Sequence, residues 1–334
     1  MRDFSDGHCA NLRTWAWVLL CALPLWLAGC GGGGGSGVAA APPPTPTPTT
    51  LSTTLAASVS SLALSVNDPG SNPALTGNPR IITVTNTGSV TATDVTVSVA
   101  PALPSGTTVA SNCTNLPAAA SCTLTVTPGA TPSAAAGVTA PAVPVATIAA
   151  SNGNTLTVPI QVLGYGSVYQ GGYVFAIDDT TSDTGSVGGK VAALSDASTA
   201  LAWGGLGTAT GASSLSDGQT NTATIVTVLG TGTYAAYACT LPDHGYNDWY
   251  LPAICEMDTA PGCPASGQTM QLNLVNRGNV GALSGNNDWS SYEFPGSPTN
   301  GAWEESFAIA GGNAQSVARK SLPLHVRCVR QLTP

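Results

Sequence analysis

The chain has 334 residues, a formal net charge of −8 and only 8% charged residues. An acidic chain with no Lys/Arg run is a poor partner for nucleic acid and shows no broad basic patch of the heparin-binding kind. Solubility has to come from hydroxyls and amides, and the length suits two ordinary domains.

Residues 1–29 read as an export signal. Arg2 and Arg13 supply a positive end, and an apolar run from Trp15 to Leu27, broken by Pro24, follows. That run is about 13 residues, short of the roughly 20 that a spanning helix needs. It closes on Leu27-Ala28-Gly29-Cys30, which resembles the lipobox of bacterial lipoproteins. The resemblance implies cleavage before Cys30, lipid on its sulfur and its new amino group, and the membrane as a partner through that anchor. An ordinary secretory signal with an accidental cysteine is the alternative. Gly31 is not aspartate, which in such lipoproteins favours the outer membrane, on either face.

Residues 30–54 are low in complexity. Five glycines follow Cys30, and PPPTPTPTT at 42–50 favours polyproline II. At about 3.1 Å per residue it is a semi-rigid spacer of roughly 30 Å. Such a segment buries no core.

Over 55–163, short apolar alternations recur between turn residues. They comprise Leu62, Leu64 and Val66; Ile82 and Val84; Val95, Val97 and Val99; Leu124 and Val126; Val143 and Val145; Leu156 and Val158. Asp68-Pro69-Gly70, Asn86-Thr87-Gly88 and Pro128-Gly129 punctuate them. This spacing predicts six or seven strands in an all-β sandwich. IITVTNTGSVTATDVT at 81–96 resembles bacterial Ig-like surface repeats, in which V-x-N-x-G opens a hairpin. That resemblance implies a spacer module rather than a catalyst. Cys113 and Cys122 fit the same pattern, across a hairpin connection, and are expected to pair.

Composition shifts at Gly164-Tyr165-Gly166, opening a second domain over 164–334. Strands are predicted at 171–175 and, antiparallel to it, at 190–194. Apolar residues three and four apart (Ile225, Val226, Leu229; Ala235, Ala238, Leu241) predict helices over 220–229 and 233–241. A third helix starts near Cys255-Glu256-Met257. Closing strands are predicted at 289–291, 302–310 and 325–330. Of the seven tryptophans, Trp203, Trp249, Trp289 and Trp303 lie here.

After Cys9, Cys21 and Cys30 are set aside, six cysteines remain, and in an oxidising compartment they read as three disulfides with fifteen possible pairings. A zinc site fails on spacing: no CxxC exists, and His244 and His325 lack ligand-like company. No metal or cofactor is expected. Arg319, Lys320, Arg327 and Arg330 gather near the C-terminus and are expected to be solvated, as are the acidic neighbours Asp178-Asp179 and Glu304-Glu305.

GGYVF at 171–175, KVAA at 190–193, Trp203, DGQTNT at 217–222, Cys239, GYNDWYLP at 245–252, Trp289-Ser290-Ser291, Ala302-Trp303 and VRCVR at 326–330 follow in an order that resembles the Lcl/DUF1566 family. The resemblance implies an α+β C-type-lectin-like fold. Such a fold has long loops and needs staples. Pairing Cys239 with Cys328 closes a loop worth roughly 4–5 kcal/mol of chain entropy, and Cys255 with Cys263 closes a local one.

Sugar-binding lectins of this class commonly hold calcium through Glu-Pro-Asn or Gln-Pro-Asp and Trp-Asn-Asp. Neither is present; Asn286-Asn287-Asp288-Trp289 and Asn247-Asp248-Trp249 place oxygens in another order and read as turn formers. Core packing competes with surface recognition for Trp249, Trp289 and Trp303. Tyr292 and Glu293, placed past a strand's end, are the best surface candidates, with Trp289 and Trp303 beside them. Formylglycine-generating enzymes share the broad fold but need a cysteine pair near the C-terminus, where only Cys328 lies. No GxSxG, Walker or HExxH element occurs. The expectation is therefore a non-enzymatic recognition protein for glycan or extracellular protein in adhesion. A structural envelope component, or an enzyme on the same fold, is the alternative.

Overall fold

The structure, a computed structural model, describes residues 53–259, 262–265, 267–283, 285–307 and 314–334. The leader, Cys30 and the tether as far as residue 52 lie outside the described residues. Thr50–Pro334 is one compact unit, and no described helix is long and apolar enough to cross a membrane.

Eight strands build the N-terminal half: β1 (Leu55–Ala57), β2 (Leu62–Ser65), β3 (Arg80–Asn86), β4 (Thr96–Ala100), β5 (Thr108–Ser111), β6 (Ser121–Thr127), β7 (Val145–Ala149) and β8 (Thr155–Leu163). They form two four-stranded sheets, ordered β1-β3-β6-β5 and β2-β8-β7-β4. Neighbours run antiparallel except β2 and β8, which are parallel from Leu62↔Ile160 to Ser65↔Leu163. Alternate residues turn inward. Ile82 and Val84 on β3, Leu124 and Val126 on β6, and Ile148, Val158 and Ile160 opposite them share one core between the sheets. Each such side chain, fully buried, contributes on the order of 1.5–3 kcal/mol. The short edge strands β1 and β5 carry no alternation that the sequence would show.

The 81–96 stretch is not a hairpin. β3 lies in one sheet and β4 in the other. Buried Asn86 is the reason: its amide donates to the Val90 and Leu116 carbonyls at 2.8 Å each, and its oxygen accepts from the Gly88 N–H. The side chain steers the chain across the sandwich end instead of back along β3. Cys113 and Cys122 are bonded across the β5–β6 connection.

The C-terminal half holds two more sheets. β9 (Val168–Tyr169), β10 (Gly172–Asp178), β11 (Gly188–Ala193) and β17 (Val329–Gln331) are ordered β17-β11-β10-β9. β12 (Ser198–Leu201), β13 (Asn287–Glu293), β14 (Gly301–Ser306), β15 (Ala314–Arg319) and β16 (Leu324–Val326) are ordered β12-β16-β13-β14-β15. Three α-helices lie between, α1 (Gly218–Leu229), α2 (Ala235–Cys239) and α3 (Ile254–Met257), followed by a π-helical turn over Gln271–Val275. Asp217 caps α1 by accepting from the Thr220 N–H at 2.9 Å, so this helix begins where its cap demands. Two buried indoles cross-tie the half: Trp203 Nε1 donates to Ser290 O and Trp289 Nε1 to Leu201 O. Disulfides join Cys239 to Cys328 and Cys255 to Cys263.

Three expectations change. The helix at 233–241 shrinks to α2, because Tyr234 is extended. The strand at 325–330 breaks into β16 and β17, one in each sheet, with Arg327 and Cys328 at the step. The strand at 302–310 is seen as far as Ser306, and the chain returns as β15, a mostly exposed edge strand without apolar alternation.

The change of architecture at 163–164 is not a break in packing. Ala63, Val66, Leu75, Val162 and Leu163 of the sandwich share a core with Val174, Ile177, Val187 and Trp203. Polar ties reinforce it. Arg80, 0% exposed, pairs with Asp179 at 2.6 Å. It also donates to Thr181, Ser182 and Gly185. The Val187 N–H donates to Ala63 O, and the Ile81 N–H to Asp183 O. Removing one partner of a buried pair costs roughly 3–5 kcal/mol. Arg80→Ala is therefore expected to lower unfolding free energy by that order in urea titration. The wild-type 53–334 fragment is expected to melt in one calorimetric transition; two well-separated transitions would contradict the shared core.

Candidate functional site

The candidate surface residues divide. Trp289 is 0% exposed and is core. Glu293 is also buried, because β13 continues through it. Its carboxylate accepts from Lys320 Nζ at 2.6 Å and from the Thr210 and Gly211 N–H groups. Burial alone would raise this carboxyl, but those donors outweigh it and hold it below the usual range. Both residues are thus corrected from surface candidates to structural ones. Tyr292 and Trp303 remain half-buried and stack on each other, centroids 6.3 Å apart, with Phe294 edge-on to Trp303.

The C-terminal basic residues are corrected as well. Only Arg319 is exposed. Lys320 lies over the Trp203 ring at 4.4 Å as well as on Glu293. Arg327 pairs with Asp196, which also binds His325, and donates to the Ala193 and Gly281 carbonyls. Arg330 grips Asp248 with two bonds of 2.7 and 2.9 Å and lies 3.8 Å over Tyr246. Of the acidic neighbours, Asp178 is solvated, while Asp179, Glu304 and Glu305 are buried.

An open polar pocket of about 260 Å³ lies where β11, α1, α3 and the C-terminal strand converge. Its floor is a relay centred on Glu256. Oε1 of that carboxylate accepts from Lys190 Nζ and, at 2.9 Å, from the Tyr250 hydroxyl; Oε2 accepts from the Ala253 N–H at 2.7 Å. Burial, and then the Glu256 charge, raise the Tyr250 phenol, so it stays a donor. The rim is Ser216, Asp217, Gln219, Thr220, Ala223 and Gln331. Hydrogen bonds from the Thr220 hydroxyl and N–H lower the Asp217 carboxyl, which keeps it ionised. Gly218 is required for the close approach, since a Cβ there would meet Glu256 Oε2 and the Ala253 nitrogen at 2.6 Å. This site is not legible in the sequence. The one signal was Asp217-Gly218-Gln219-Thr220, a helix cap preceding an exposed amide. Nothing in the sequence brings Lys190, Glu256 and Gln331 together.

A second polar group is closed to solvent. Asp288 on β13 faces Glu305 on β14, which faces Gln315 on β15. Both carboxyls are 0% exposed; the Asp288 oxygens have no hydrogen-bond partner among the described residues, and Glu305 has only the Gln315 side chain for a neighbouring donor. Among the described residues, no group of three His, Cys, Asp or Glu side chains is arranged to hold a metal ion. Burial, then the Asp196 charge, pushes Asp288 up to about 8; burial, then Asp258, does the same to Glu305. The folded state therefore keeps protons that an unfolded carboxyl releases near pH 4. Stability from this pair is complete below about pH 4, falls as the pH rises, and levels off above about 8. Glu305→Gln is expected to melt several degrees above wild type at pH 9 and to flatten the dependence. Equal melting temperatures of variant and wild type across pH 5–9 would count against neutral buried carboxyls.

No protein-family model and no curated protein matches the chain. Among solved structures it is similar to the S-layer protein rSbsC(31-844), at 16% identity and a TM-score of 0.23, covering 34% of this chain and 13% of that one. It is likewise similar to surface layer protein SbsC, domains 4–9, at 16% identity and a TM-score of 0.23, covering 41% of this chain and 19% of that one. The chain thus spans less than a fifth of the length of either neighbour, and likeness at that level leaves its architecture to rest on the geometry described above.

Proposed function

We propose that the protein is an exported lipoprotein, anchored in the outer membrane through acylated Cys30, with a non-catalytic recognition role in adhesion. In this reading the N-terminal half is an Ig-like spacer. The C-terminal half is a C-type-lectin-like head of the Lcl/DUF1566 kind that binds glycan or protein. The observation that carries it is the pocket over Glu256: fixed polar groups on a paired floor, ringed by exposed amides and hydroxyls. Recognition sites join a rigid base to a few placed polar groups in this way. The half-buried Tyr292–Trp303 stack is a second surface of the same head.

The continuous core between sandwich and head also favours a second reading, a structural envelope component that transmits load. Glycan and matrix-protein arrays separate the two. Because the halves share a core, residues 53–334 are the right probe, with and without calcium. A defined ligand without turnover is expected. Empty arrays, together with loss of an envelope complex in pull-downs from a deletion strain, would favour the structural reading. Anchoring is tested by palmitate labelling in the producing bacterium. Wild type is expected to incorporate label and Cys30→Ala to lose it and run larger, as an uncleaved precursor.

A further inference from the structure

The pocket over Glu256 narrows what its ligand can be. Lys190 gives one proton to Glu256 and keeps two, and its side chain is 28% exposed. Glu256 already accepts from Lys190, Tyr250 and the Ala253 N–H, and its side chain is only 4% exposed, so it offers an incoming group little. Asp217 spends one lone pair of each oxygen on Thr220 and keeps the other toward the opening. The exposed amides of Gln219 and Gln331 hold no partner among the described residues and present a donor and an acceptor each.

Charge then decides between ligand classes. Two carboxylates and one ammonium leave the pocket formally at −1, which disfavours sulfated, phosphorylated or carboxylated ligands. A cationic ligand would meet the Lys190 ammonium beside Asp217, the exposed carboxylate of the pocket. What remains is a neutral group that both gives and takes hydrogen bonds at adjacent positions. A volume of about 260 Å³ is below the usual range for drug-sized ligands and suits one small ring.

Resting on the recognition reading above, we propose that this pocket binds a single neutral, polyhydroxylated sugar unit. One hydroxyl accepts from Lys190 Nζ, its neighbour donates to Asp217, and Gln219 and Gln331 bracket the ring.

The test is saturation-transfer NMR on residues 53–334 with methyl glycosides of glucose, galactose, mannose and N-acetylglucosamine, against sialic acid and glucose 6-sulfate. Asp217→Asn retains an N-cap residue while removing the charge, and Gln331→Ala removes an exposed amide. Each is expected to weaken binding of at least one neutral glycoside about three- to tenfold, as loss of one hydrogen bond would, with the melting temperature unchanged. The proposal is overturned if no neutral glycoside shows transfer, if the acidic sugars bind more tightly, or if both variants bind as wild type does. Array ligands that bind both variants normally would remove this pocket and leave recognition by the head standing. Empty arrays would remove both.

Discussion

A guanidinium without exposed surface holds this molecule together. Arg80 leaves the sandwich at the start of β3 and ends on Asp179, past β10 of the other half. Asp179 is itself fixed by Thr76 and the Asn78 N–H. Two opposite charges taken out of water repay their desolvation only where their remaining donors and lone pairs are largely met; the Thr181, Ser182 and Gly185 oxygens take the protons of Arg80 Nη1, while its Nε has no partner among the described residues. This geometry can form only when the halves are in contact. The apolar core that runs beneath it from Ala63 to Trp203 has the same requirement. What reads as two modules joined at residue 164 is therefore one mechanical body.

The same economy runs through the C-terminal half. Five of the seven basic residues described, Arg80, Lys190, Lys320, Arg327 and Arg330, sit in ion pairs with acids. With 8% charged residues, little charge is left for the surface, and hydroxyls and amides have to carry solubility. Each pair fixes a long irregular segment: Glu293 the 208–211 loop, Asp196 the turn after β11, Asp248 the stretch entering Tyr250. Long loops otherwise have few means of being ordered, since they lack a repeating backbone ladder. Lys190–Glu256 belongs to this set but differs in being open on one side, which turns a structural tie into the floor of a site.

Local signals were the legible ones. Alternation found β2, β3, β4, β6, β7 and β8, helical spacing found α1, and the Asp217 cap marked where that helix starts. Strands without alternation, such as β1, β5 and β15, left no trace because an edge strand need not bury one face. The turn after β3 was misread because Asn86 looks the same whether it closes a hairpin or caps a crossover. Charged residues were misplaced for a related reason. Sequence shows that Lys320, Arg327 and Glu293 are charged, but not that a partner waits for each across 27 to 131 residues of chain. The pocket suffers from the same blindness, because Lys190, Asp217, Glu256 and Gln331 meet only in the fold.

The placement of β17 has a consequence for how the chain can be made. β17 lies against β11 and against the Tyr250 bridge, and it follows directly on the cysteine bonded to α2. The residues of β17 thus pair with residues synthesised far earlier. A chain delivered from its amino end can complete the sandwich strands as they emerge. Its second half must wait, open and incompletely paired, until β17 emerges, and in that interval it is the part most exposed to proteases and to the attention of chaperones.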